Sequence, residues 1–176
     1  MAELDVAAAP QNLSFPGTRA PWPVAQKIIW TCWFQGADQA PEVVKRCLSS
    51  WERLNPGWEL RCLDATTIGR YAALDRYVDL NAQDVTAASL SDIIRMIVLH
   101  EYGGVWVDAT VLCNRALDEW LPAPWGTGFF AFSNSVTQRV LASWMLACKP
   151  GNALFAKWAT RSLNYWRGRV RSSDYF

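Results

Sequence analysis

Ala88-Ser89-Leu90-Ser91-Asp92-Ile93-Ile94-Arg95-Met96-Ile97-Val98-Leu99-His100-Glu101-Tyr102, followed by Gly103-Gly104-Val105-Trp106-Val107-Asp108, decides how the chain is read. Leu90, Ile93, Ile94, Met96, Ile97, Val98 and Leu99 leave no wide polar face. The spacing therefore predicts a helix buried on most sides, opened by Thr86 or Ser89 and ending at Tyr102. Gly103 suits the left-handed position that closes a helix, and Val105-Trp106-Val107 then reads as a short buried strand. Within this apolar helix Asp92 and Arg95 lie three residues apart, on one face with Ser89 a turn earlier. Unpaired, such buried charges cost several kcal/mol, so the stripe needs a partner. The two ions could simply neutralise each other. The strand, however, delivers Asp108 at its C-terminal end, where open α/β sheets place their ligand sites.

Outward from this stretch the pattern repeats strand and helix. Upstream, Ile28-Ile29-Trp30 reads as a buried parallel strand opening into the loop Trp33-Phe34-Gln35-Gly36. Pro41 suits a first helical turn, and Val44, Cys47, Leu48, Trp51 and Leu54 keep a 3.6-residue period up to Asn55-Pro56-Gly57. Trp58, Leu60 and Cys62 alternate with Glu59 and Arg61 as a second strand, and Asp64 can cap a short helix through Ile68 and Tyr71. Downstream, Phe129 to Phe132 and Ser143 to Ala147 are further apolar runs, and Asn152 can cap a last helix carrying Leu154, Phe155, Trp158 and Leu163. The rhythm predicts one α/β domain over residues 27–176, Rossmann-like, with a mainly parallel central sheet. Residues 1–26, with Pro10, Pro16, Gly17, Pro21 and Pro23, read as a surface arm.

At 176 residues, 51% hydrophobic and 19% charged with a net charge of +1, the chain is long enough for one core and offers no excess charge for a nucleic acid partner. Five cysteines without a CxxC pair suggest neither a disulfide framework nor a zinc site. The N-terminus lacks the basic and apolar regions of a signal peptide, and no apolar run reaches the roughly 18 residues that span a bilayer. These features predict a cytoplasmic protein, with Arg161, Arg167, Arg169 and Arg171 available for contact with a membrane surface. Eleven Trp is a large number; flat rings with one N–H donor suit sugar faces and nucleobases as well as cores. His100, the single histidine, reads as a last-turn helix residue rather than a base.

The ordered set Ser91-Asp92-x-x-Arg95, Tyr102-Gly103-Gly104 and Trp106-x-Asp108 resembles the sugar-binding region of the capsular polysaccharide synthesis protein family. That region is similar to those of DXD-containing transferases related to mannosyltransferases and clostridial glucosylating toxins. Lys27-Ile28-Ile29-Trp30, the helix from Pro41, and Lys149-Pro150-Gly151-Asn152 extend the likeness from Lys27 to Phe176, and related chains look longer. The resemblance implies a glycosyltransferase-A-like fold and a hexosyltransferase, retaining in type. It would move sugar from a nucleoside diphosphate sugar, a UDP-sugar by expectation, to a glycan or lipid-linked acceptor in capsular or cell-surface polysaccharide synthesis. It implies that Trp30 stacks on the donor's base, that Ser91 and Gly104 belong to the donor site, and that Asp92 and Arg95 hold the sugar and phosphate side. Asp108 would contact ribose and sugar and, with a divalent metal (Mn²⁺ or Mg²⁺), the diphosphate. Where the motif's second Asp would stand the sequence has Thr110, whose hydroxyl brings no charge. That departure motivates a second reading, a catalytically inactive module that binds a nucleotide sugar or glycan. A phosphohydrolase using Asp108 as nucleophile lacks the further acids that such chemistry needs.

Overall fold

A strand covered on both faces must be apolar throughout, and β1 (Ile28–Cys32) is buried at all five positions. It is an interior strand of the sheet, parallel to β2 (Glu59–Leu63) on one side and parallel to β3 (Gly104–Val107) on the other. The computed structural model describes residues 27–78, 86–121, 128–133 and 141–166. The expected arm over residues 1–26 and the basic tail at Arg167, Arg169 and Arg171 lie outside them. Helix α1 (Glu42–Leu54) joins β1 to β2, and α2 (Ala87–Tyr102) leads into β3. Beyond β3, the sheet continues through β5 (Leu141–Cys148) to β4 (Phe129–Ser133), giving the order β2-β1-β3-β5-β4.

The parallel expectation holds for β2-β1-β3, whereas β3–β5 and β4–β5 are antiparallel. The reason lies in the connections. A parallel neighbour needs a crossover of a dozen or more residues, usually a helix, whereas β4 ends at Ser133 and β5 begins at Leu141, with α3 (Leu117–Trp120) lying earlier, between β3 and β4. Apolar runs alone do not carry strand direction, so the sequence showed the strands here and not their sense.

Alternation along β3 divides the core. Trp106 points with Ile28, Trp30, Leu146 and Cys148 toward α2 and α4 (Ala153–Trp166), packing on Ile94, Ile97, Val98, Phe155 and Leu163. Val105 and Val107 point the other way with Ile29, Met145 and Ala147, onto Trp51 of α1 and Leu117 of α3. Burial of each such side chain contributes about 1.5–3 kcal/mol. Helix starts follow the expected caps: Thr86 Oγ1 accepts from the Ser89 N–H at 3.1 Å, and Asn152 Oδ1 from the Phe155 N–H at 3.0 Å. Asp64 Oδ1 accepts from both the Thr66 and Thr67 N–H groups, ahead of a 3₁₀ turn at Ile68–Arg70.

Between α2 and β3 the chain reverses at Gly103 (φ 68°) and Gly104 (φ 98°). Both glycines are required twice over, by backbone angle and by space. A Cβ on Gly103 would meet the Pro150 ring at 2.5 Å, and one on Gly104 would meet the Ile28 carbonyl at 2.6 Å. The indole N–H of Trp30 donates to the Gly103 carbonyl at 2.9 Å and fixes the turn against β1. Gly104→Ala should therefore cost about 2–4 kcal/mol, from left-handed strain plus overpacking of backbone against backbone. Exposed Gly57, with nothing within 4 Å of an added Cβ, should tolerate Ala within about 1 kcal/mol. Chemical denaturation of the two variants checks the contrast.

Candidate functional site

Parallel strands β2 and β3 lie on opposite sides of β1: the chain moves first outward to β2 and then back across β1 to β3. The connecting helices α1 and α2 pack on opposite faces, the topology for which open α/β sheets place their ligand sites at the strands' carboxyl ends, here those of β1 and β3. Asp108 stands there, immediately after Val107, with its N–H donating to the Trp144 carbonyl at 2.8 Å.

On the α2 side of this edge, Arg95 lies between two carboxylates. One terminal nitrogen (Nη1) reaches Asp92 Oδ1 at 2.7 Å, and the other (Nη2) reaches Asp108 Oδ1 at 2.8 Å. The same Asp108 oxygen accepts from the Trp106 indole N–H at 2.8 Å, and the guanidinium carbon sits 5.3 Å from the Trp106 ring centroid. Arg95 is 4% exposed, whereas the side chains of Asp92 and Asp108 are 26% and 37% exposed. The cation is thus interior and the carboxylates face outward. Burial pushes the Asp92 carboxyl above its ordinary value; Arg95 opposes this and Asp108 reinforces it.

The structure brings Asp92, Arg95 and Asp108 together as the spacing suggested, with Ser91 half-buried beside Asp92 on α2. Three expectations change. Trp30 has no exposed surface: it packs on Tyr71 and Tyr102 at 5.2 and 5.6 Å, takes the Arg61 guanidinium over its ring at 5.1 Å, and holds the Gly103 turn, so no base can stack on it. Gly104 is buried at the start of β3, the opposite end from Asp108, and packing against Ile28 accounts for it. Arg95 has both terminal nitrogens on carboxylates and almost no surface, so it orders Asp92 and Asp108 rather than reaching a phosphate. Ser89, on the predicted stripe, is buried with its hydroxyl 2.9 Å from Thr86 Oγ1 in the helix cap.

Sequence reasoning missed two groups. Trp33 and Phe34 are half-buried aromatic residues just beyond the carboxyl end of β1, and the Trp33 indole N–H has no hydrogen-bond partner among the described residues. The loop after Asp108 is tied to α1. Asn55 accepts from the Leu117 N–H at 2.7 Å, Ser50 Oγ accepts from the Cys113 N–H at 2.9 Å, and the Trp51 indole donates to the Val111 carbonyl at 2.8 Å. A buried Asn at a helix end was the available signal, since a buried amide must satisfy its hydrogen bonds.

A divalent metal needs several oxygen ligands with uncompensated charge. Asp108 Oδ1 already accepts two donors, Asp92 Oδ1 is held by Arg95, and exposed Thr110 is neutral. No group of three His, Cys, Asp or Glu able to hold a metal is found among the described residues. The donor set does not fit a resident Mn²⁺ or Mg²⁺.

The fold is an α/β domain of the kind seen in the solved PaToxG glycosyltransferase, which superposes with a TM-score of 0.57 at 16% identity over 82% of this chain and 63% of that one. The chain belongs to the capsular polysaccharide synthesis protein family, whose model matches residues 14–176. It is also 25% identical over 169 residues to O-glycosyltransferase braB of Annulohypoxylon truncatum, covering 86% of this chain and 40% of that protein. With the glycosyltransferase afumC of Aspergillus fumigatus it shares 26% identity over 159 residues, 80% of this chain and 40% of that protein. The chain thus spans about two fifths of the length of these relatives. None of the described helices is long and apolar enough to cross a membrane.

Arg95→Met should cost about 2–3 kcal/mol in chemical denaturation, below the 3–5 of a fully buried pair because solvent reaches both stranded carboxylates. Asp92 supplies a pH test. A carboxyl raised in the folded state contributes stability that is complete below its unfolded value near 3.8 and lost as pH rises through the raised value. The difference in stability between the native chain and Asp92→Asn should therefore shift against the native chain across that window; a flat difference would remove the assigned burial effect.

Proposed function

We propose that this domain binds a nucleoside diphosphate sugar, a UDP-sugar by preference, and supports transfer of its sugar to an acceptor hydroxyl. The observation that carries the reading is the Asp92–Arg95–Asp108 bridge at the carboxyl end of β3. Two carboxylates are fixed by an interior cation with their other edges toward solvent. Fixed acceptors of this kind suit the vicinal hydroxyls of a ribose and a hexose, and fixing them beforehand lowers the entropy cost of binding. Membership of the capsular polysaccharide synthesis protein family and the glycosyltransferase relatives support the same class.

In this reading Trp33 takes the stacking role first expected of Trp30, with Phe34 beside it. Ser91 adds a hydroxyl to the sugar side. Transfer forms a bond from the acceptor oxygen to the anomeric carbon and breaks the bond from that carbon to the diphosphate oxygen. UDP departs and the acceptor proton passes to solvent or base. Retention of configuration, a glycan or lipid-linked acceptor, a role in surface polysaccharide synthesis, a cytoplasmic site of action and peripheral membrane contact belong to the proposal through the family likeness.

One observation favours a binding module without catalysis: Arg95 is committed to two carboxylates, and Thr110 supplies no charge for the leaving diphosphate. Calorimetric titration of the chain with UDP and UDP-glucose, alongside an assay of UDP release, separates the readings. Asp108→Ala should weaken UDP-glucose binding at least tenfold, about 1.4 kcal/mol. Trp33→Ala should lose about 1–3 kcal/mol of base stacking while Trp30→Phe changes stability rather than affinity. Binding without UDP release would favour the non-catalytic module, and absence of binding to either nucleotide would overturn the UDP-sugar reading.

A further inference from the structure

Carboxylates at a site for a diphosphate sugar have two possible tasks: to ligate a divalent cation, or to accept from hydroxyl groups. The geometry decides by how their charge is already used. Arg95 brings one positive charge between Asp92 and Asp108, touching one oxygen of each at 2.7 and 2.8 Å, and it is 4% exposed. A strongly held interior guanidinium cannot yield its place to an incoming ion without leaving its own charge buried. Asp108 Oδ1 is further engaged by the Trp106 indole at 2.8 Å, so the oxygen nearest the pair is saturated. Ala109 is buried and points no ligand at the site, and Thr110, two residues on, is exposed and uncharged. The pair and its cation together leave a single net negative charge, spread over two outward-facing carboxylate edges.

We propose that the Asp92–Arg95–Asp108 unit is a clamp for the donor's neutral hydroxyl groups that works without a divalent cation, Arg95 holding from inside the position that a metal ion would otherwise organise. Arg95 is then a positioning residue: it touches the two carboxylates, not the donor. An indole N–H and a guanidinium on one carboxylate oxygen orient its second oxygen as a hydrogen-bond acceptor. Ribose and pyranose O–H groups are the donors that such an acceptor fits. The proposal deepens the donor-site reading above and rests on it for the identity of the ligand, while its claim about the cation stands on the protein alone.

The test uses the whole chain, with Mn²⁺ as the metal probe and UDP-glucose as the donor. First, Mn²⁺ alone is titrated and the free-ion electron paramagnetic resonance signal recorded. Second, UDP-glucose affinity is measured calorimetrically in EDTA and in excess Mn²⁺. Circular dichroism and thermal midpoint confirm that Asp108→Asn, which keeps shape and removes charge, is folded. The expected result is that Mn²⁺ binding is no different in Asp108→Asn, and that UDP-glucose affinity in the native chain agrees within twofold between the two conditions. Mn²⁺ binding that is lost in Asp108→Asn would overturn the proposal. So would a tenfold or greater gain in donor affinity with Mn²⁺ that Asp108→Asn abolishes. Should UDP-glucose fail to bind in either condition, the donor reading falls, and with it the hydroxyl clamp, while the Mn²⁺ titration still reads whether a metal sits at Asp108.

Discussion

The reversal at Gly103 and Gly104 sets where α2 lies, and every feature of the site depends on that placement. Two residues without Cβ atoms let the helix end against the Pro150 ring and the next strand begin against the Ile28 carbonyl, contacts at 2.5 and 2.6 Å from where a Cβ would be. Trp30 locks the turn through its hydrogen bond to Gly103. With α2 pressed this closely on β1 and β3, Arg95, two turns back from the helix end, comes within 2.8 Å of Asp108 at the far end of β3. Local backbone chemistry at one end of the strand thereby builds an ionic bridge at the other.

Much of this was legible because the determining signals are local. The period of α1, the Thr86 and Asn152 caps, the glycine stop after Tyr102 and the apolar strands follow from spacing and side-chain type, and the structure has them at the expected residues. The proximity of Asp92 and Arg95 follows from helix geometry. Their meeting with Asp108 followed from the short path through Gly103–Gly104 to the end of β3.

What was illegible is non-local. Which way β4 and β5 run depends on how the chain returns, not on the apolar content of each run. Trp30 and Trp33 are chemically identical and three residues apart, yet one is sealed in the core and the other stands at the edge. That difference arises from alternation and from the side chains of Tyr71, Tyr102 and Arg61, which come from other elements. Likewise, nothing local tells that Arg95 is interior and its carboxylates exterior; exposure is a property of the packed layers.

All five cysteines carry free thiols, and four are buried in pairs that belong to different layers. Cys32 and Cys148 sit between the sheet and the α2–α4 side, where burial pushes both thiols up to about 12. Cys113 lies in the layer beneath α1 and α3, with Cys47 on α1 itself. Burial keeps these two groups as thiols at neutral pH, so their alkylation in the native state is suppressed by chemistry as well as by access. Because all four are buried, each pair is a built-in clock for the opening of its own layer. The rates at which Cys32 and Cys148, against Cys47 and Cys113, take up an alkylating reagent would tell whether the two faces of the sheet come apart together or one before the other.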